Sequence, residues 1–318
     1  MPDSMTLGRD LTAWATSGKL DPMVGRDAEV DLMLRVLCRR TKANPLLLGD
    51  PGVGKTALVE GLAQRIVSGS VPLALRGRRL FELQLGALLA GTQYRGDLEK
   101  RVQEFLERAR LERSIVFIDE IHLLVLAGRG SGMDAANLLK PVLSRGDVPC
   151  IGATTPAEAV EMFRVDPALQ RRFQAVHVAE PDRAAVTAIL RAARVRLEAH
   201  HQLEIADDAI HAAVELSFST PGARKNPDRA LDLLEDACAG EQLRAGQAIP
   251  ARAEPSQRLL AAEAEVRAAV AALDLDRHVR ARAALESLEK EERSCRSPAR
   301  PPRPCVSADQ IRASAAGI

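Results

Sequence analysis

The sequence predicts a three-layer α/β domain built on a parallel sheet, followed by a small all-helical domain and a short helical and disordered C-terminal extension. Three observations carry that reading. Short apolar runs alternate with helical periodicities up to about residue 180, the pattern of a parallel sheet covered on both faces. A glycine-rich turn, Gly49-Asp50-Pro51-Gly52-Val53-Gly54-Lys55-Thr56, stands between an apolar run and a helical one. From Asp182 to Ala248, after Pro181, only the three- and four-residue apolar spacings of helices recur.

In chain order, residues 1–21 read as a lead segment and 22–180 as the α/β domain. Pro45-Leu46-Leu47-Leu48 is a short buried strand running into Gly49, and ALVEGLAQRIV from Ala57 is a helix. Leu80 to Leu85 suits a second strand, and Leu98 to Ala109 has helical periodicity. Ser114 to Ile118 is a fully apolar strand that ends at Asp119. Val148 to Ala153 leads into Thr154-Thr155, and Ala175 to Val178 is the last strand expected. Residues 181–250 form the small helical domain, with breakers at Pro221, Gly222 and Pro227. Over 251–293, Leu259, Ala262, Val266, Ala269 and Leu273 make a narrow apolar stripe, enough for a weak coiled coil. The stretch SCRSPARPPRPC makes 294–318 read as mostly disordered.

Composition narrows the function classes. A net charge of +1 gives no general electrostatic attraction to nucleic acid or an anionic membrane. No apolar run approaches the ~18 residues of a membrane span, and the start lacks the apolar core of a secretory signal. The cysteines at 38, 150, 238, 295 and 305 are scattered, without metal-ligand spacing, as reduced thiols in a cytoplasmic protein would be.

The chemistry concentrates in three places. In GDPGVGKT the glycines let backbone N–H groups turn inward around phosphate oxygens, and the following helix adds its positive end. Lys55 suits the β- and γ-phosphates of ATP, and Thr56 suits Mg²⁺. The run SIVFIDE places Asp119 at a strand end, about 63 residues after Thr56, to hold the Mg²⁺ shell. Glu120, next in sequence, can polarise the attacking water. Thr155 can hydrogen-bond the γ-phosphate or that water, and Arg171-Arg172 can serve a neighbouring subunit's γ-phosphate in trans. Tyr94, the single tyrosine, stands between Gly91 and Gly96 beside Arg95, a wet setting for a large aromatic.

The order GRDLTAWATSGKLDPMVGRDAEV, NPLLLGDPGVGKTALVEGLA, GTQYRGDLEKR, FIDEIH, DAANLLKPVLSRG, IGATT, ALQRRFQ and NPDRALDLLEDA resembles the first nucleotide-binding domain of Clp-type AAA+ unfoldases and disaggregases. The resemblance runs from about Gly8 to Leu243. It implies an ATPase subunit of a hexameric homo-oligomer that threads unfolded or misfolded polypeptide through a central pore. By the same resemblance Val24 and Gly25, with Arg26, line the adenine pocket, and Thr155 is a γ-phosphate sensor. Arg171 and Arg172 become trans-acting fingers, and Tyr94, Arg95 and Gly96 belong to the first pore loop. Residues 126–133 resemble the second pore loop, and either Arg224 or Arg229 could contact nucleotide from the small domain. No peptidase-docking loop is seen. The competing reading is a shortened regulatory paralogue that binds nucleotide and assembles with other subunits without unfolding anything itself. A nucleic-acid motor is disfavoured by the near-neutral charge.

Overall fold

The computed structural model describes residues 8–84, 95–126, 148–220, 224–248, 261–262, 264–266, 280–288 and 304–316. The α/β domain comprises β1 (Gly8–Asp10), α1 (Leu11–Thr16), α2 (Asp27–Leu37), β2 (Asn44–Leu48), α3 (Lys55–Val67), β3 (Leu80–Leu83), α4 (Arg95–Leu111), β4 (Ile115–Ile118), α5 (Ile121–Leu126), β5 (Cys150–Thr154), α6 (Pro156–Val165), α7 (Pro167–Gln170) and β6 (Phe173–His177). The sheet order is β1-β3-β4-β5-β2-β6, with only β1 antiparallel to its neighbour.

Strand β4 shows why these runs are apolar throughout. Val116 and Ile118 enter one core with Phe105, Leu106 and Met162, while Ile115 and Phe117 enter the other with Met33, Leu58 and Leu62. Both faces are covered, so the alternation of a half-exposed strand is absent. The register sets the site. Leu46 of β2 and Ile118 of β4 both lie opposite Gly152 of β5, so β2 and β5 end level at Leu48 and Thr154, while β4 ends two residues earlier and is followed there by Asp119 and Glu120. Open parallel sheets bind ligands at that edge.

The lead segment is part of this domain. Gly8–Asp10 pairs with Phe81–Leu83 at the sheet edge, and Asp10 caps α1 by accepting from the Ala13 N–H at 2.9 Å. Strand ends differ from expectation by one or two residues: β3 stops at Leu83, β5 runs from Cys150 on to Thr154, and β6 starts at Phe173, where it meets Asn44.

The small domain holds α8 (Arg183–His201), β7 (Glu204–Ile205), α9 (Asp207–Ser219) and α10 (Asp228–Ala248), closed by β8 (Cys305–Val306) and α11 (Ala308–Ala316). The expectation that 294–318 is mostly disordered is corrected over 304–316. β8 pairs in parallel with β7, and Val306 and Ile311 are fully buried with Val186, Leu190, Ile210 and Leu234. Ser307 and Gln310 start α11 with a capping interaction, the Gln310 side-chain oxygen accepting from the Ser307 N–H at 2.9 Å. Ile311→Ala is therefore expected to destabilise the small domain by about 2–5 kcal/mol, read as a lower midpoint in urea unfolding. An unchanged midpoint would mean that α11 does not hold the domain together. The rest of the tail, 294–303, lies outside the described residues. Of the expected coiled-coil stripe, Ala262 and Val266 are helical, and the other positions lie outside them.

Cys38, Cys150, Cys238 and Cys305 are free, and burial pushes the thiols of Cys150 and Cys238 up to about 12 and about 11. No helix among the described residues is long and apolar enough to cross a membrane.

Candidate functional site

The glycine loop connects β2 to α3 at the carboxyl edge of the sheet. Gly52 and Gly54 have φ of +87° and +90°, conformations that favour glycine. Space is tight as well: a Cβ on Gly49 would stand 2.6 Å from the Val178 carbonyl oxygen, and one on Gly52 would stand 2.8 Å from that of Lys225. Asp50 and Pro51 are exposed at the loop's crest, and Val53 is buried beneath it. Lys55, the first residue of α3, is 7% exposed and donates from Nζ to the carbonyls of Gly49 at 2.9 Å and Asp50 at 3.2 Å. Its ammonium thus lies within the turn, where a phosphate would gather the loop's N–H groups.

Two other segments clasp the loop. Gly25, at φ +71°, turns the chain ahead of α2, with Val24 half-buried beside it. Arg26 then donates to the Val53 carbonyl at 3.2 Å, to the Ala179 carbonyl at 2.8 Å and to Glu29 at 2.8 Å. On the small-domain side, the N–H groups of Lys225 and Asp228 donate to the carbonyls of Pro51 and Gly52, at 3.1 and 3.3 Å. Glu180 fastens that turn by accepting from the backbone and side-chain N–H groups of Asn226. The loop therefore reports directly to the small domain.

Asp119 and Glu120 follow β4. Asp119 Oδ2 accepts from the Thr56 hydroxyl at 2.9 Å, joining the two motifs across the sheet edge. Its Oδ1 accepts from the Glu120 N–H at 3.0 Å. Glu120 has φ +49°, a left-handed conformation that a non-glycine residue seldom adopts and that strains the backbone. Burial, with Asp119 and Glu158 nearby, raises its carboxyl above the ordinary range, while His122 and Lys55 oppose the shift. Thr155 caps α6, its hydroxyl accepting from the Glu158 N–H at 3.3 Å, and Glu158 accepts in return from the Thr155 N–H at 3.0 Å. Against the effect of burial, the Thr155 side chain also hydrogen-bonds the Glu158 carboxylate, one of the contacts that hold that carboxyl below its ordinary range.

The structure gathers Gly49 to Thr56, Asp119, Glu120 and Thr155 at one edge. It places Arg171 and Arg172 elsewhere. They precede Phe173, which pairs with Asn44 at the start of β2, whereas the glycine loop follows Leu48 at its end. Both arginines are exposed, and the Arg172 carbonyl accepts from Asn44 at 3.2 Å. In the small domain, Arg229 donates to the Ser217 carbonyl at 2.7 Å, and Arg224 pairs with Asp232 at 2.8 Å. Tyr94 and 127–133 lie outside the described residues. Arg95 and Gly96 open α4.

Sequence reasoning overlooked His122 and Glu158. His122 is 7% exposed and connects Glu120 to the β5–α6 junction. The available signal was a histidine two residues beyond Glu120 in FIDEIH.

Residues 45–180 match the ATPase family associated with various cellular activities (AAA), and 182–291 match the AAA lid domain. The chaperone protein ClpB of Vibrio vulnificus (strain YJ016) is 52% identical over 231 residues, 72% of this chain and 27% of that protein. ClpB of Gloeobacter violaceus is 47% identical over 294 residues, 90% of this chain and 34% of that protein. The S. cerevisiae Hsp104–ADP complex superposes with a TM-score of 0.74 at 40% identity, over 92% of this chain and 42% of that one. A closed-state reconstruction of Hsp104 with ATPγS and FITC casein gives 0.70 at 38%, over 84% and 50%. The chain thus spans about a third or less of the curated relatives cited here. With ATPase domain and lid matched in tandem, and relatives of one kind in both comparisons, the chain belongs to the Clp-type AAA+ ATPases.

Proposed function

We propose that the chain hydrolyses ATP with Mg²⁺ and uses the cycle to remodel polypeptide as a subunit of a hexameric ring. The observation that carries this reading is the Thr56–Asp119 hydrogen bond, which brings the loop's hydroxyl and the strand-end carboxylate within 2.9 Å. Two hard oxygen donors with room for phosphate oxygens and water suit Mg²⁺, which takes few protein ligands. When bound, the ion neutralises phosphate charge. Lys55 and the backbone N–H groups of the glycine loop other than Pro51 hold the phosphates. Glu120 takes a proton from the attacking water, and Thr155 donates its O–H toward the γ-phosphate or that water. Arg171 and Arg172 act on the adjacent subunit's ATP. Val24 and Gly25 border the base.

Mechanical output follows from the clasp between loop and small domain. Because Lys225 and Asp228 are bonded to Pro51 and Gly52, a change at the phosphates moves the small domain. Hsp104 has been solved with casein, and the proposed substrate class here is likewise unfolded protein, gripped by Tyr94 with Arg95 and Gly96 beside it. A cytoplasmic location and the absence of nucleic-acid or membrane partners complete the reading. Tyr94→Ala is expected to raise the ATP consumed per threaded chain by at least about tenfold, measured by translocation of an unfolded fluorescent protein alongside phosphate release. Threading at the parent rate would overturn the pore assignment.

A further inference from the structure

His122 is the second residue of α5, and its ring is buried where β4, β5 and α6 meet. Its Nδ1 lies 2.9 Å from Thr154 Oγ1, 3.3 Å from Glu120 Oε2 and 3.3 Å from Glu158 Oε2. The hydrogen bonds around it fix the proton. Thr154 has one hydroxyl hydrogen and donates it to Glu158 Oε2 at 3.0 Å. Its oxygen can then only accept from His122, so Nδ1 carries a hydrogen. That hydrogen points to Thr154 Oγ1 at 2.9 Å, and Glu120 Oε2, 3.3 Å from the same nitrogen, stands where it can share it as the longer arm of a three-centre contact. The Glu120 side chain is 45% exposed and free to rotate toward water. Among the described residues no side chain other than His122 lies in ion-pair range of Glu120. The same Glu158 oxygen also accepts from the Thr155 N–H, so one histidine joins Glu120 to the cap that places Thr155.

We propose that His122 is a positioning residue for hydrolysis: its Nδ1–H, bonded to Thr154 Oγ1 and shared with one oxygen of Glu120, leaves the other Glu120 oxygen to receive the proton of water and couples Glu120 to the Thr154–Thr155–Glu158 junction. The inference rests on the reading of Glu120 as the base. Contacts of 3.3 Å shorten on small side-chain rotations, as orienting hydrogen bonds commonly do when substrate binds. A base out of place by about 1 Å loses on the order of 10²-fold in rate.

The test compares three replacements in the full chain, with kcat, the KM for ATP and Mg·ATP binding measured for each. Asn carries an amide N–H close to the Nδ1 position, Gln carries one close to Nε2, and Leu carries none. His122→Gln and His122→Leu are expected to lose about 10²-fold in kcat with KM within threefold of the parent. His122→Asn should recover most of that rate. The inference is overturned if Gln keeps the parent kcat, or if Asn is as slow as Gln. The Asn–Gln comparison stands even if the Leu variant fails to fold. Glu120→Gln separates the two readings. If it turns over ATP normally, the base assignment falls. If it is inactive while His122→Gln is not, only the role of His122 falls.

Discussion

Glu120→Gln is expected to lower kcat for ATP hydrolysis by about 10²- to 10⁴-fold while leaving Mg·ATP binding intact. The carboxamide matches the carboxylate in shape and cannot take a proton from water. Binding draws on other groups: the N–H groups of the glycine loop, Lys55, and the Thr56–Asp119 pair. None is bonded to the Glu120 side chain among the described residues. The backbone strain at φ +49° is inherited by glutamine, so the fold bears no new cost. Near Asp119 and Glu158, removing a negative charge also relieves like-charge repulsion, and nucleotide affinity should hold or rise. Steady-state phosphate release and equilibrium binding of a fluorescent ATP analogue separate the two quantities. Turnover within threefold of the parent would remove Glu120 from the chemistry. Turnover lost together with binding would assign it to nucleotide retention instead.

The glycine loop and strand-end acid of the candidate site were legible because they are contiguous in sequence. Eight residues fix the loop, and the apolar run of β4 announces its buried strand and the acid at its end. Features that depend on distant pairing were harder to read. β1 has three residues and exists because Gly8–Asp10 finds Phe81–Leu83 much later in the chain. The closing strand and helix of the small domain contribute two fully buried apolar side chains, Val306 and Ile311, just beyond a proline- and arginine-rich stretch. Composition there favours disorder, and only the partnership with β7 reverses it. His122 stands beside Glu120 in sequence, yet its role requires Thr154 and Glu158, more than thirty residues on, to arrive from β5 and α6. The parallel register supplies that coincidence.

The same register determines what Arg171 can do. Arg171 ends α7, and Phe173 lies opposite Asn44, so the arginine pair sits at the amino-terminal edge of β2. Four strand steps, about 13 Å at ~3.3 Å each, separate that edge from the glycine loop of the same subunit. A guanidinium anchored there cannot serve its own γ-phosphate. It can serve one presented by a neighbour in a head-to-tail ring, where the subunits' unlike faces meet. Arg171→Ala is expected to cut kcat by about 10³-fold or more with ATP binding retained. Complementation makes the trans geometry decisive. Subunits carrying Arg171→Ala keep Glu120, and subunits carrying Glu120→Gln keep Arg171. Each is inactive by itself, but mixing them equally should restore roughly a quarter of parental turnover if random rings form. An Arg171→Ala subunit supplies the base and its Glu120→Gln neighbour supplies the finger. If mixing restores nothing although mixed rings form, or if the parent hydrolyses ATP at full rate as a dilute monomer, Arg171 does not act across an interface.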